Sequence, residues 1–215
     1  MRATGILPIV PGIALVLLGY ALLFGSAELL RRRGVGAETT RRLVHVVGTL
    51  LALPLPILLG VRAGVVMAVA LAGLLAWSRR RGALGSVNAV HRRTVGAVVF
   101  PLGIALAAVA SSVYAQYCFG VLVLGFADPA AGWVGSRAGR RLRGRPTHKT
   151  VAGSTAFFLV TMALAVAFRL ELGGDVTLLL VPSALAVTGV EALLARGWDN
   201  LAVPTAAALA FVWMF

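Results

Sequence analysis

Residues Asp128–Ser154 read DPAAGWVGSRAGRRLRGRPTHKTVAGS, and they follow directly on the apolar run Val121–Ala127, VLVLGFA. An acidic residue therefore sits inside a hydrophobic segment, roughly 13 Å along a helix from the first following cation, Arg137. An ionisable group at membrane depth is expensive and marks function by default. The six Lys and Arg residues from Arg137 to Lys149, interleaved with glycine, are what a polyphosphate would need beside it.

The rest of the 215-residue chain supports a membrane reading. Hydrophobic residues make up 60% of it and charged residues 13%, and the mean hydropathy is +0.94. A bilayer core about 30 Å thick takes a helix of roughly 20 apolar residues. Eight apolar runs can be marked, near 6–28, 43–61, 63–78, 94–112, 116–136, 151–169, 176–195 and 200–215. The expected fold is all-α: a polytopic transmembrane helical bundle of about eight spans, one integral-membrane domain over residues 1–215. The opening apolar run is longer than the core of a usual signal peptide and reads as the first span. One cysteine, Cys118, excludes an intrachain disulfide and any multi-cysteine metal site.

Charge orients the spans. Of the 20 Lys and Arg residues, 17 fall in alternate connections, leaving Arg2, Arg62 and Arg169 for the other side. By the positive-inside rule the basic loops are cytoplasmic and both termini lie outside. The net charge of +13 is thus spread over short loops between apolar runs, which argues against a nucleic-acid surface. Glu28, Glu38, Asp128, Glu191 and Asp199 fall near the same ends of the runs as the basic loops. Polar chemistry is expected at one face, in reach of cytoplasmic nucleotides.

Each candidate has a plain structural use beside the chemical one. Asp128 followed by Pro129 suits an N-cap restarting a broken helix, and equally suits Mg²⁺ binding or proton acceptance from a hydroxyl. Ala131, Gly135 and Gly139, spaced by four, suit close helix packing or room for phosphate oxygens. Arg140, Arg141, Arg143, Arg145, His148 and Lys149 are topology anchors or phosphate partners, and Thr150 and Gly153 follow at the start of the sixth span. His45 shares a helix face with Arg41, next to Arg42. Arg92 and Arg93 precede the fourth span. Glu191, Asp199 and Asn200 flank the last connection, where Gly197 suits a tight turn. No HExxH motif or Walker lysine loop is present.

These residues resemble the integral-membrane lipid kinases that include dolichol kinase, phytol kinase and the CTP-dependent diacylglycerol kinase. That family's nucleotide motif, Asp-x-x-Ala-x-x-x-Gly-x-x-x-Gly, eight residues, then Lys-Lys-Thr-x-Glu-Gly, is met here by Asp128, Ala131, Gly135, Gly139, His148, Lys149, Thr150 and Gly153. His148 replaces the first Lys and Ala152 the Glu. RRLVHVVG, RRTVGAVVFPLG and EALLARGWDNLAVP look like further family elements, and the short chain resembles the phytol kinase-like bacterial or plastid branch. The resemblance implies a cytoplasm-facing site that transfers the γ-phosphate of a nucleoside triphosphate, CTP rather than ATP, to a membrane lipid alcohol. The acceptor would be an isoprenoid alcohol such as phytol, geranylgeraniol or a polyprenol, or else diacylglycerol.

Under that reading Asp128 and Lys149 are catalytic, and Ala131, Gly135, Gly139, Arg140, His148, Lys149, Thr150 and Gly153 bind nucleotide. Asp128 and Asp199 hold Mg²⁺, with Glu28, Arg41, Arg42, His45, Arg93, Glu191 and Asn200 as further candidates. Two alternatives stay open: a CTP-dependent cytidylyltransferase making a CDP-lipid, and a small ion-coupled transporter with Asp128 and Glu191 as ligands. The glycine-spaced face also permits a homo-oligomer.

Overall fold

Lipid offers the backbone no hydrogen-bond partners, so each apolar run has to close its own peptide bonds. All eight runs do so as helices in the computed structural model, which describes residues 8–89, 94–138 and 149–215. The elements are α1 (Ile9–Arg32), α2 (Ala37–Ala52), the turn α3 (Leu55–Leu58), α4 (Val61–Arg80), the short α5 (Gly85–Asn88) and α6 (Gly96–Ala110). They continue with α7 (Tyr114–Leu122), α8 (Asp128–Ala138), α9 (Val151–Glu171), α10 (Leu180–Leu193) and α11 (Asp199–Met214). A π-helical turn, Val123–Ala127, joins α7 to α8. No strand occurs among the described residues.

Five helices are long and apolar enough to cross a membrane: α1, α2 continued through α3, α4, the continuous Tyr114–Ala138 helix, and α9. The other three, α6, α10 and α11, have 15, 14 and 16 residues. At 1.5 Å per residue they reach only about 21–24 Å, short of a hydrocarbon core about 30 Å thick. Large apolar side chains such as Leu17, Leu22, Val66, Leu159, Leu178 and Trp213 face outward. An exterior of this kind suits lipid contact rather than water.

The Tyr114–Ala138 helix is the hub. One face (Phe119, Val123, Ala127) joins Phe157, Leu180 and Phe211 in a core shared with α9, α10 and α11. Its other face (Tyr117, Val121, Leu124) joins Val16, Ala52 and Ile104 in a second core with α1, α2 and α6. A helix buried on both sides has no polar stripe, which is why Asp128 stands out in its sequence.

The basic connections meet at one end of the bundle. Arg79 donates to the Thr94 carbonyl (2.7 Å), and the Thr94 hydroxyl donates to the Arg196 carbonyl (2.9 Å). The Ser86 N–H donates to Glu28 (3.1 Å), and Arg42 to the Gly132 carbonyl (3.3 Å). At the opposite end Arg169 binds the carbonyls of Asp175 and Phe215.

Candidate active site

Pro129 has no N–H, so within the π turn the carbonyl five residues back, that of Leu124, lacks the donor this register would supply. The His45 Nε2 takes up that carbonyl at 3.0 Å. A carbonyl can only accept, so the imidazole carries its proton on Nε2. The helix therefore runs on through Asp128, whose backbone is right-handed helical (φ −65°, ψ −48°). Asp128 is not the N-cap of a restarted helix, which removes the purely structural of the two uses its sequence allowed. Gly125 lets this turn press on α2: a Cβ there would lie 2.3 Å from the Thr49 side chain.

Asp128 is placed beside three groups from the far end of the chain. Its carboxylate lies 3.9 Å from His45 Nε2. One carboxylate oxygen each from Asp128, Glu191 and Asp199 lies within 4.8 Å of the others. The ammonium of Lys149 donates to Glu191 and, at 2.7 Å, to Asp199. Ser154 donates to the second oxygen of Glu191 at 3.4 Å. Burial works against the Lys149 ammonium, but the negative charges of Asp199, Glu191 and Asp128 outweigh it. They hold the group above the usual lysine range, so it is charged at every physiological pH.

The turn between α10 and α11 aims Asp199 and Asn200. Arg196 and Gly197 both take positive φ (58° and 94°). A Cβ on Gly197 would lie 2.2 Å from the Gly96 nitrogen, so only glycine fits there. The Val95 N–H and the Thr94 hydroxyl both bind the Arg196 carbonyl, clamping the turn to the start of α6. Asn200 then donates its amide to the Gly96 carbonyl (3.0 Å) and its backbone N–H to Asp199 (3.1 Å). The sequence offers this stretch both as a tight turn and as a second carboxylate wall, and the structure makes it both; Thr94, which anchors the turn, carries no signal of its own in the sequence. The paired glycines Gly96 and Gly197 were the available signal.

The small residues of the motif meet across α8 and α9. A Cβ on Gly135 would lie 2.7 Å from Thr150 Oγ1, and one on Gly153 would lie 2.9 Å from the Ala131 carbonyl. Thr150 caps α9 by accepting the Gly153 N–H (3.0 Å). This packing brings Lys149, at the mouth of α9, back toward Asp128. Arg41 and Arg42 both pair with Glu38 (3.3 and 3.5 Å). Glu28 holds the Ser86 N–H and Arg32 rather than joining the carboxylate cluster. Arg93, Gly139, Arg140 and His148 lie outside the described residues.

Three carboxylates facing one ammonium leave an excess of negative charge, and all three offer hard oxygen donors. Asp128, Glu191 and Asp199 thus fit a divalent cation such as Mg²⁺. Asp128 and Asp199 were expected as ligands; Glu191 completes the set.

No family model matches the chain, and no solved structure matches it. The chain is 29% identical to the phytol kinase of Synechocystis sp. over 219 aligned positions, covering 94% of this chain and 92% of that protein. A similarity running over nearly all of both chains supports the phytol kinase-like family.

Proposed function

We propose that this protein is a membrane lipid kinase that moves the γ-phosphate of a nucleoside triphosphate, preferably CTP, onto the hydroxyl of an isoprenoid alcohol. The observation that carries the reading is the Lys149 ammonium seated on Glu191 and Asp199 with Asp128 opposite, at the end of the bundle where the basic loops gather. Similarity to a phytol kinase over nearly the whole chain supports the same chemistry.

Phosphoryl transfer needs positioning and charge neutralisation more than covalent help. Lys149 and the basic stretch ahead of it hold the triphosphate. Asp128, Glu191 and Asp199 would hold Mg²⁺, which would supply charge neutralisation at the phosphate oxygens. Asp128 is the carboxylate nearest His45, and it receives the proton of the acceptor hydroxyl as the oxygen–phosphorus bond forms. The bond from the γ-phosphorus to the β-phosphate oxygen breaks, and the nucleoside diphosphate leaves. Keeping the acceptor dissolved in the membrane beside the site lowers the entropy cost of the encounter. All eight helices cross the bilayer in this reading, with the site cytoplasmic.

The test supplies purified protein with Mg²⁺, CTP or ATP labelled at the γ-phosphate, and phytol, geranylgeraniol, dolichol, undecaprenol or diacylglycerol. Label in an isoprenoid monophosphate is the expected result. Label confined to pyrophosphate would assign cytidylyl transfer instead. Ion flux in liposomes with neither product would overturn both in favour of transport.

A further inference from the structure

Two residues other than glycine take positive φ among the described ones, Leu84 and Arg196. Leu84 precedes the short α5, whereas Arg196 (φ 58°) lies just ahead of Asp199 and is followed by Gly197 (φ 94°). A side chain in the left-handed region costs energy and persists only where its surroundings over-determine it. Strain of this kind clusters where a functional group has to be aimed.

Thr94 supplies much of the constraint. Its hydroxyl donates to the Arg196 carbonyl (2.9 Å) and accepts the Gly96 N–H (3.0 Å). A hydroxyl has one proton to give, so the Gly96 N–H on a lone pair leaves that proton directed at Arg196. The Val95 N–H binds the same carbonyl at 2.9 Å. The Thr94 carbonyl in turn accepts the Arg79 guanidinium at 2.7 Å, a charge-assisted bond from the last turn of α4. Thr94 therefore ties the end of α4, the start of α6 and the α10–α11 turn to one another. The fit is close, since a Cβ on Gly197 would lie 2.6 Å from the Thr94 hydroxyl.

The turn aims the first residues of α11. Asp199 opens that helix with one carboxylate oxygen on the Asn200 N–H (3.1 Å) and the other on Lys149 (2.7 Å). The Asn200 amide binds the carbonyl of Gly96, the residue whose N–H Thr94 holds. Asp199 has an oxygen within 4.8 Å of those of Asp128 and Glu191. Mg²⁺ demands near-octahedral geometry, so a small swing of the turn takes the Asp199 oxygen out of a shared site.

We infer that Thr94 is a positioning residue: by fixing the strained Arg196–Gly197 turn it aims Asp199 at Asp128 and Glu191, and so sets the affinity of the three carboxylates for a divalent cation. Thr94 touches neither the carboxylates nor the cation and acts only through the turn. The assignment rests on the kinase reading for the use made of the cation, but not for the tie itself.

Thr94→Val keeps the shape of the side chain and removes its hydroxyl, and Thr94→Ser keeps the hydroxyl. Mn²⁺ titrated against the purified protein in detergent, with the free ion followed by electron paramagnetic resonance, gives a readout that needs no turnover. Thr94→Val is expected to weaken Mn²⁺ binding by about tenfold, the equivalent of one hydrogen bond, with Thr94→Ser close to wild type. Arg79 is exposed, so Arg79→Ala leaves the fold intact; it should weaken Mn²⁺ in the same direction by a smaller factor, and it decides alone if Thr94→Val does not fold. Asn88 is the control. It ties the same end of the bundle through the Ser78 hydroxyl (3.2 Å) and the Ala83 carbonyl (2.7 Å), so Asn88→Ala should lower the unfolding temperature and leave Mn²⁺ affinity unchanged.

In turnover, Thr94→Val should lower kcat and raise the Mg²⁺ concentration for half-maximal rate, with KM for geranylgeraniol unchanged. Wild-type Mn²⁺ affinity in Thr94→Val, or equal weakening in Thr94→Ser or in Asn88→Ala, would overturn the assignment, as would a wild-type protein that binds no Mn²⁺. The expected Mn²⁺ pattern with no phosphorylation of any alcohol keeps the role of Thr94 and defeats the kinase reading.

Discussion

Replacing Lys149 by methionine keeps most of its length and removes its charge. The ammonium is the partner of Glu191, whose side chain is only 2% exposed, and of Asp199. Without it, three carboxylates face one another within 4.8 Å. At an effective dielectric of about 20, two unit charges at that distance repel by about 3 kcal/mol. Breaking a buried pair by removing one partner costs about 3–5 kcal/mol, which agrees with that figure. Lys149→Met should therefore lower stability by several kcal/mol in metal-free buffer and abolish phosphoryl transfer.

The double variant Lys149→Met/Glu191→Gln removes one of the stranded charges. It should regain about half of the lost stability and none of the activity. Thermal unfolding in detergent, with EDTA and with Mg²⁺, measures the first effect, and γ-phosphate transfer to geranylgeraniol measures the second. Mg²⁺ should raise the unfolding temperature more in Lys149→Met than in wild type, because the variant's site is more negative. A Lys149→Met protein with wild-type stability in EDTA and wild-type turnover would refute the whole account of the cluster.

Three further outcomes are expected. Asp128→Asn should fold normally, since its backbone is helical and caps nothing, yet lose at least about a hundredfold in turnover, within the usual range for proton-transfer groups; near-normal turnover would remove Asp128 from the chemistry. Gly103→Ala would put a Cβ 2.0 Å from the Asn200 carbonyl, so α6 and α11 must part at about 1–3 kcal/mol, whereas Gly25→Ala, with open space around it, should be neutral or gain up to about 1 kcal/mol; thermal unfolding of both decides. Lys149 is held above its ordinary value of 10.5, so the stability it contributes is complete below that value and is lost only as pH rises through the higher folded one. The unfolding difference between wild type and Lys149→Met should thus stay constant from about pH 7 to 10, and a difference that shrinks across that interval would contradict the pairing.

Sequence patterning carried the elements further than the contacts. Each of the eight apolar runs is a helix because its length and its scarcity of polar side chains leave the backbone no other partner. The alternation of cations anticipated that the loops bearing Arg42, Arg79 and Arg196 gather at one end. Asp128, Lys149, Glu191 and Asp199 stood out singly as ionisable groups within or beside apolar runs. Their gathering at one face was expected, but the ion pairs of Lys149 were not legible, since it reaches partners 42 and 50 residues away. That proximity depends on Gly135 against Gly153 and on Gly96 against Gly197, contacts that spacing alone does not pair. Pro129 suggests a break by its missing N–H, yet the helix continues through it, with the freed Leu124 carbonyl taken by the imidazole of His45 from α2.

The same imidazole links α2 to the proposed site. Because Leu124 fixes the proton on Nε2, the ring is held in one orientation beside the Asp128 carboxylate. On the other side, the Asn200 amide binds the Gly96 carbonyl while its backbone touches Asp199, and Asp199 binds Lys149. The carboxylates are therefore reached through two separate routes, α2 to the π turn and α6 to the α10–α11 turn. The carboxylate cluster is thus held in place from two sides, and disturbing either the His45–Leu124 or the Asn200–Gly96 bond should lower both stability and any phosphoryl transfer, measured by thermal unfolding and by γ-phosphate transfer in the same variants.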